Sequence, residues 1–323
     1  MIHLTHEDVT AAAERVAGRV RPLAVAPADT PGTWFALEHL QHTGTFKARG
    51  AINFIRAHQE SGTLPDSGVT IASGGNAGLA CAWAARAEGA RATVFLPATA
   101  PAVKVARLRA YGADVRLVGR EYAEALDACR KFAADTGALA SHAYDHPLIA
   151  AGAGTLMEEL HARLPDLDTV VVAVGGGGLF AGVAASAHHH GVRVVAAEPE
   201  NCRALNAALA AGEVVDVPVD SVAADSLGAR RVTPMALYAA QQYDVCSVLV
   251  PDAAIVRARQ ALWDDHRLAV EHAAGTALAG LHAYAPSEGE RVAVVLCGAN
   301  TDPGDLAASS SGGEPVGAAP SGA

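Results

Sequence analysis

Short apolar runs alternate with alanine-rich helical segments through the first half of the chain. Residues 69–72, 92–96 and 113–118 are mostly apolar and rich in β-branched side chains, which is typical of strands. Helical spacing follows each run, at 79–88, from 101 onward and at 121–136. Because parallel strands need a long crossover between them, this regular alternation predicts a parallel sheet covered by helices.

The same alternation continues in the second half of the chain. Residues 169–174 are the most apolar run and lead directly into four glycines. The pattern assigns no element to 243–251 or 266–291, and it predicts an irregular segment at 22–31 and a flexible one at 150–155. The other predicted elements are helices at 11–20, 48–58, 156–164, 180–188, 203–211, 233–242 and 252–265, and strands at 33–38, 192–198 and 292–296.

The order of these elements predicts an α/β protein with an open parallel sheet and two domains. A chain of 323 residues is long enough for both. We expect the larger domain to take residues 1–47 and 146–306, and the smaller domain to take residues 48–145. Residues 307–323 are mostly Ser, Gly, Pro and Ala, which predicts a disordered tail.

Composition and charge limit the kinds of binding partner and the cellular location that we expect for this chain. Hydrophobic residues make up 51% of the chain and charged residues 18%, as in a packed globular protein. A net charge of -10 argues against nucleic acid or an anionic membrane as a partner. The five cysteines form no Cys-x-x-Cys pair, and the N-terminus lacks an apolar signal core, so we predict a cytoplasmic protein. We interpret His188, His189 and His190 as a solvated helix end without acidic partners.

One lysine, Lys47, follows Phe46 in the segment 43–50, between the glycines Gly44 and Gly50. Apolar neighbours disfavour the charged form of an amine, which makes such a lysine a possible covalent nucleophile. The plain alternative is an exposed lysine at the start of a helix.

Two glycine-rich segments follow predicted strands and open helices. Gly175, Gly176, Gly177 and Gly178 would present backbone N–H groups to an anion, most plausibly a phosphate. The spacing Gly176-x-Gly178-x-x-Ala181 also fits a loose dinucleotide fingerprint, so a nicotinamide-dependent dehydrogenase is an alternative.

The second segment, residues 73–78, reads Ser-Gly-Gly-Asn-Ala-Gly and would suit a carboxylate. An ordinary serine cap with a tight glycine turn is the structural alternative. A lysine amine, a phosphate cradle and a carboxylate pocket together suit one cofactor, pyridoxal phosphate, held as a Schiff base.

Four motifs of the chain resemble those of a known family. Residues 37–51, LEHLQHTGTFKARGA, look like the lysine motif of the fold-type II pyridoxal-phosphate enzymes and are most similar to that of the serine/threonine dehydratases. Residues 73–78 resemble their substrate-carboxylate loop, residues 175–179 their phosphate loop, and Cys297-Gly298 their pyridine-nitrogen motif. The four motifs occur in family order and reach as far as Asp302, and the resemblance implies a tryptophan synthase β-like fold.

The resemblance also implies roles for single residues. Lys47 would form the Schiff base, Phe46 would lie against the cofactor ring, and Cys297 would face the pyridine nitrogen. Asn76 would bond the phenolic oxygen, and the four glycines would bind the phosphate. The substrate-binding residues carried over from the family are Ser73, Gly74, Asn76 and Ala77.

Two positions depart from racemases of this fold. Relatives that racemise serine carry a second serine where this chain has Gly74, so the opposite-face proton donor is missing. Their divalent-metal site pairs a glutamate with an aspartate, whereas this chain has Glu198 and Ala204. Glu198 with carbonyl oxygens could hold a monovalent cation. A thiol at Cys297 is a weak hydrogen-bond donor, which favours β-elimination over a long-lived carbanion.

The predicted activity is therefore a pyridoxal-phosphate-dependent L-serine/L-threonine dehydratase acting on a small amino acid. A 3-hydroxyaspartate dehydratase, an amino-acid racemase and a β-replacing synthase on the same fold stay open, as does a non-catalytic ligand-binding relative. A homodimer is the expected assembly.

Overall fold

Two β-sheets carry the strands of the computed structural model, which describes residues 3–309. A six-stranded sheet has the order β1-β2-β10-β7-β8-β9, and a four-stranded sheet has the order β5-β4-β3-β6. The strands are β1 (Val25–Pro27), β2 (Thr33–Ala36), β3 (Val69–Ala72), β4 (Ala92–Leu96), β5 (Asp114–Leu117), β6 (Leu139–Ala140), β7 (Thr169–Ala173), β8 (Arg193–Pro199), β9 (Val245–Val250) and β10 (Val292–Val295). Apart from the antiparallel pair β1 and β2, the strand pairs within residues 3–309 are parallel, which confirms the predicted fold class.

Helices connect the strands and cover the sheets. They are α1 (His6–Val16), α2 (Lys47–Glu60), α3 (Asn76–Ala87), α4 (Ala102–Ala110), α5 (Tyr122–Thr136), α6 (Pro147–Arg163), α7 (Gly178–His189), α8 (Ala204–Ala211), α9 (Ala224–Leu227), α10 (Pro234–Gln242), α11 (Asp252–His266), α12 (His272–Tyr284) and α13 (Pro303–Ser309). Two short 3-10 helices, Glu38–Leu40 and His42–Gly44, lead into α2. Thr5 and Asp8 cap α1 with reciprocal side-chain bonds.

The centre of the larger sheet is buried on both faces. β7 and β10 pair in parallel with Val292 opposite Thr169, and every residue of both strands is buried. Helix α12 packs against β7 and β8. Burial on both faces explains why these strands are continuous apolar runs in the sequence.

The predicted flexible segment at 150–155 is wrong, because these residues are buried inside α6. A β-carbon on Gly154 would lie 2.5 Å from the carbonyl oxygen of Gly182 in α7. Helices α6 and α7 therefore touch through their backbones, and glycine is needed here for close packing, not for flexibility.

Other elements were missed by the sequence pattern. The irregular segment predicted at 22–31 contains β1, and β9 and α12 occupy the two stretches left unassigned. Each sheet has its own large apolar core. The predicted tail overlaps α13 as far as Ser309, and its remaining residues lie outside the described part of the chain. Within residues 3–309, no helix has both the length and the apolarity required to cross a bilayer.

The interpretation of the three histidines at the end of α7 is wrong for His190. Its Nε2 lies 3.2 Å from Oε2 of Glu158 in α6, and its side chain is largely buried. An acidic partner is therefore present, although 32 residues separate it from the histidine in the sequence.

Candidate active site

Three neighbouring strands of the larger sheet, β2, β10 and β7, end at the same edge. The chain after β2 leads to Lys47, the chain after β10 is Cys297, and the chain after β7 is the run of four glycines. Because ligands of open α/β sheets bind beyond the carboxyl ends of the strands, this edge is the expected place for a site.

The lysine segment is fixed to the segment after β10 by backbone hydrogen bonds. The Phe46 N–H donates to the Cys297 carbonyl at 3.1 Å, and the Ala299 N–H donates to the Gly44 carbonyl at 2.9 Å. Thr45 and Gly298 form an isolated bridge between these bonds. The predicted catalytic lysine and the predicted pyridine-nitrogen residue are thus held side by side.

The amine of Lys47 is desolvated and has one close polar partner. Its Nζ donates to the carbonyl oxygen of Ala143 at 3.0 Å and lies 4.7 Å from the ring centroid of Phe46. Burial lowers the pKa of Lys47 to about 8, while Cys297 and Glu271 act in the opposite direction. About one-tenth of the amine is therefore neutral at pH 7, far more than for an ordinary lysine, as a nucleophile or a general base requires.

The Cys297 thiol lies in the same buried environment. Burial is the largest effect that raises its pKa, to about 12, and Glu271 adds to it, whereas Lys47 opposes the shift. The thiol therefore stays protonated at physiological pH.

Glu271, which the sequence analysis missed, joins the predicted residues. It is buried at the start of α12, and its two carboxylate oxygens accept hydrogen bonds from Asn76 Nδ2 at 3.0 and 2.9 Å. Burial raises the pKa of Glu271, and the bond from Asn76 opposes that shift. A lone glutamate between Val270 and His272 gives no local signal, and its partner Asn76 is 195 residues away.

Asn300, also missed, completes this network. Its Nδ2 donates to Asn76 Oδ1 at 2.7 Å and to the Thr43 carbonyl at 2.8 Å, and its backbone N–H donates to Glu271 at 3.3 Å. Thr43 has φ of 63°, an uncommon value for a residue with a β-carbon. Asn300 therefore ties the turn before Lys47 to the loop that carries Asn76.

The four glycines form the turn between β7 and α7. Gly177 has φ of 93°, and a β-carbon there would lie 2.4 Å from Ala236 Cβ. A β-carbon on Gly176 would lie 2.3 Å from the ring of Tyr144, the residue after the carbonyl that binds Lys47. The first N–H groups of α7 have no acceptor within their own helix, so the turn offers donors to an anion close to the lysine.

The predicted substrate loop lies between β3 and α3. Gly75 precedes α3, and Asn76 is its first residue. A β-carbon on Gly74 would lie 2.8 Å from Leu96 Cδ2, whereas one on Gly75 would meet nothing within 4 Å. Ser73 and Ala77 flank these positions, and Asn76 connects the loop to Glu271 and Asn300.

Glu198 lies at the end of β8 and is fully buried. Its carboxylate oxygens accept hydrogen bonds from two backbone N–H groups at the start of α8, those of Leu205 (2.7 Å) and Asn206 (2.8 Å). Burial raises the pKa of Glu198 to about 7, and these two bonds oppose the shift. No contact in the described part of the chain joins Glu198 to Lys47, so the structure does not bring this residue into the same cluster.

Two residues after Lys47, Arg49 is fully buried and paired. It makes a bidentate contact with Glu38, at 2.9 and 2.7 Å, and donates to Glu159 at 2.6 Å and to Thr155 at 3.2 Å. Burial opposes the charge, but the two carboxylates outweigh it and raise the pKa of Arg49. This network attaches the start of α2 to α6.

Comparison with known proteins places this geometry in context. The family model described as pyridoxal-phosphate dependent enzyme matches residues 19–298. A Homo sapiens protein named serine dehydratase-like is 37% identical over 278 residues, which cover 81% of this chain and 83% of that protein. The L-threonine ammonia-lyase of Geobacter sulfurreducens is 35% identical over 272 residues, which cover 83% of this chain and 67% of that protein. The structure of maize serine racemase is similar with a TM-score of 0.88 and 28% identity, over 96% of this chain and 97% of that one.

Proposed function

This chain belongs to the family of pyridoxal-phosphate dependent enzymes, and we propose that it is an L-serine/L-threonine ammonia-lyase. The reaction removes water from a β-hydroxy amino acid to give an enamine, and hydrolysis of the corresponding imine takes up one water and gives a 2-oxo acid and ammonia. The observation that carries the proposal is the desolvated Lys47 amine, with a pKa of about 8, beside a protonated Cys297 thiol.

The residues present fit the cofactor. The Lys47 amine is available for covalent attachment, with the Phe46 ring and the Cys297 thiol next to it. The glycine turn supports a phosphate role because a side chain at Gly176 or Gly177 would collide with its neighbours. We assign Lys47, Phe46, Asn76, Cys297 and residues 175–178 to cofactor binding. Because a glycine variant would also disturb packing, comparing the affinities for pyridoxal phosphate and pyridoxal is the better test of the phosphate role.

The bound cofactor supplies an electron sink for the charge left when the substrate loses its α-proton. Lys47, once free, takes up that proton, because its amine is neutral in a large fraction near pH 8. Hydrogen bonds to Glu271 and Asn300 hold Asn76 in place at the first residue of α3. The Cys297 thiol keeps its proton and therefore does not protonate a ring nitrogen beside it. The ring would then be a weaker electron sink, which favours early loss of the β-hydroxyl.

A serine racemase among the similar structures makes racemisation the second candidate. Inversion at the α-carbon needs a proton donor on the face opposite Lys47. Gly74 supplies no such group, which supports elimination over racemisation. A 3-hydroxyaspartate dehydratase differs only in substrate and is distinguished by assay, and the family match leaves the dehydrogenase alternative without support.

The decisive experiment is Lys47→Ala, with Lys104→Ala as the matched control. Lys104 is half-exposed and forms only a long ion pair with Asp225, at 3.5 Å. We expect wild type and Lys104→Ala to release a 2-oxo acid and ammonia from L-serine or L-threonine, and Lys47→Ala to release neither. Borohydride treatment of the wild type should label the Lys47 peptide. A label on Lys104 or Lys131, or full activity in Lys47→Ala, would refute the assignment.

Five finer assignments belong to the same proposal. The substrate loop consists of Ser73, Gly74, Asn76 and Ala77. Glu198 contributes to a monovalent-cation site, so potassium should activate the enzyme more than lithium does. The domains divide at residues 47/48 and 145/146. The enzyme is a homodimer, which light scattering measures. It works in the cytoplasm, a location that five free cysteines suit.

A further inference from the structure

His6 in α1, Glu158 in α6 and His190 directly after α7 meet at one point outside the candidate active site. His6 Nε2 lies 3.0 Å from Glu158 Oε1, and His190 Nε2 lies 3.2 Å from Glu158 Oε2. The ligand atoms of the three residues all lie within 4.8 Å of one another. We infer that His6, Glu158 and His190 bind a zinc ion.

The donor set and its spacing suit this metal. Zinc prefers imidazole and carboxylate ligands in a tetrahedral arrangement, often three protein ligands with water in the fourth position. Bonds of about 2.0–2.2 Å at tetrahedral angles put neighbouring ligand atoms about 3.3–3.6 Å apart. Glu158 Oε1 lies 3.0 Å from His6 Nε2 and 3.3 Å from His190 Nε2, so one carboxylate oxygen already stands near this separation from both imidazoles.

Further contacts hold the three ligands in orientation. Ser186 in α7 donates to Glu158 Oε1 at 2.5 Å. The ring of His189 stacks on His6 with centroids 3.6 Å apart, and the ring of His161 stacks on His190 at 3.9 Å. Outer contacts of this kind fix ring and carboxylate orientation in metal sites and contribute to affinity.

The position of the cluster gives the ion a structural role. His6 lies in the first turn of α1, Glu158 in α6, and His190 directly after α7. A zinc ion would therefore join the N-terminal helix to α6 and α7, which pack against each other. Glu158 faces α1 and α7, whereas the next residue, Glu159, bonds Arg49, so the site is independent of the proposed catalytic residues.

Equilibrium dialysis of chelator-treated holoenzyme against zinc ions tests the proposal. We expect one ion per chain for the wild type and for His188→Gln, a matched control on the same helix end whose ring stacks on Tyr243 instead. The double variant His6→Gln/His190→Gln should lose this ion. Ser186→Ala should weaken binding by about tenfold, as expected for an outer contact. Magnesium, which prefers oxygen ligands, should not bind.

Two readouts keep the test informative if the double variant is unstable. Zinc should raise the melting temperature of the wild type and of His188→Gln, and cobalt should bind the wild type with the visible bands of a tetrahedral ion. Activity should not depend on the ion. Absence of zinc binding in the wild type, or equal binding in a folded double variant, would overturn the proposal and leave only imidazole–carboxylate hydrogen bonds at this point.

Discussion

Lys47 and Arg49 are two cations on the same first turn of α2, yet they occupy opposite electrostatic environments. Lys47 has a carbonyl oxygen and an aromatic ring as close partners, and its pKa is lowered to about 8. Arg49 is more completely buried, but the carboxylates of Glu38 and Glu159 raise its pKa. Burial alone therefore does not decide the charge of a side chain.

The chain places a reactive amine at Lys47 and a rigid ion-pair network at Arg49, only two residues apart. An unpaired desolvated amine gives up its proton readily and can react, whereas a paired guanidinium stays charged and holds two helices together. The network around Arg49 fixes the start of α2, and that start sets the position of Lys47.

Breaking the paired side should destabilise the fold. Glu38→Gln removes the bidentate carboxylate of Arg49 and leaves a buried charge only partly compensated by Glu159. We expect the free energy of unfolding to fall by about 3–5 kcal/mol, measured by urea denaturation. The control Asp216→Asn breaks the exposed pair with Arg231 and should change little. Equal stability of wild type and Glu38→Gln would show that Arg49 does not depend on its partner.

Perturbing the unpaired side should reduce activity more than stability. Glu271→Gln replaces a carboxylate that accepts two bonds from Asn76 with an amide that can accept only on one side. Losing one charge-assisted hydrogen bond costs about 1.5–3 kcal/mol. We therefore expect kcat/KM to fall by about 10- to 100-fold. Unchanged kcat/KM with a lowered melting temperature would indicate a purely structural residue.

The sequence predicts those parts of the site whose signal is local. Strand, glycine turn and helix follow one another at 169–188, so the turn before α7 is visible without a structure. Glu271 and Asn300 act on Asn76 across roughly 200 residues of chain, and no local pattern marks them. Family, fold class and cofactor were predicted correctly because four such local motifs occur in one order.

The missed helix α12 shows a second limit. Its Gly275 and Gly280 weaken a helical pattern, but a β-carbon on Gly280 would lie 2.4 Å from Ala197 Cβ. Glycine serves close contact with β8 here, and a sequence pattern cannot distinguish that use from a turn.

The pKa of Lys47 makes a pH prediction with a definite sign. Only the neutral amine attacks pyridoxal phosphate, so reconstitution of the cofactor-free enzyme should speed up as pH rises, with a midpoint near pH 8 and a plateau above about pH 9. Between pH 7 and the plateau the rate should rise by about tenfold. Since Glu271 acts to raise the pKa of Lys47, Glu271→Gln should move the midpoint to lower pH. Stopped-flow absorbance measures both, and a rate independent of pH would contradict the assignment of Lys47 as a desolvated amine.

The smallest expected effect concerns the face of the substrate opposite Lys47. The Lys47 amine, which has no carboxylate partner among residues 3–309, is the group that transfers the proton, and it can reach only one face of the substrate α-carbon. Gly74 offers no hydroxyl for the other face, so the parent enzyme should form little D-serine. Gly74→Ser supplies that hydroxyl, although its β-carbon must displace Leu96 Cδ2, which would lie 2.8 Å away.

We therefore expect Gly74→Ser to raise the share of D-serine by a few-fold, and Gly74→Ser/Leu96→Val to raise it further because valine removes the crowded methyl group. Gly75→Ser is the matched control, since a β-carbon there meets open space, and it should leave the product ratio unchanged. Chiral chromatography of the reaction with L-serine measures D-serine against pyruvate. If the parent already forms D-serine as fast as pyruvate, a residue other than 74 protonates the second face, and Lys47 does not act alone.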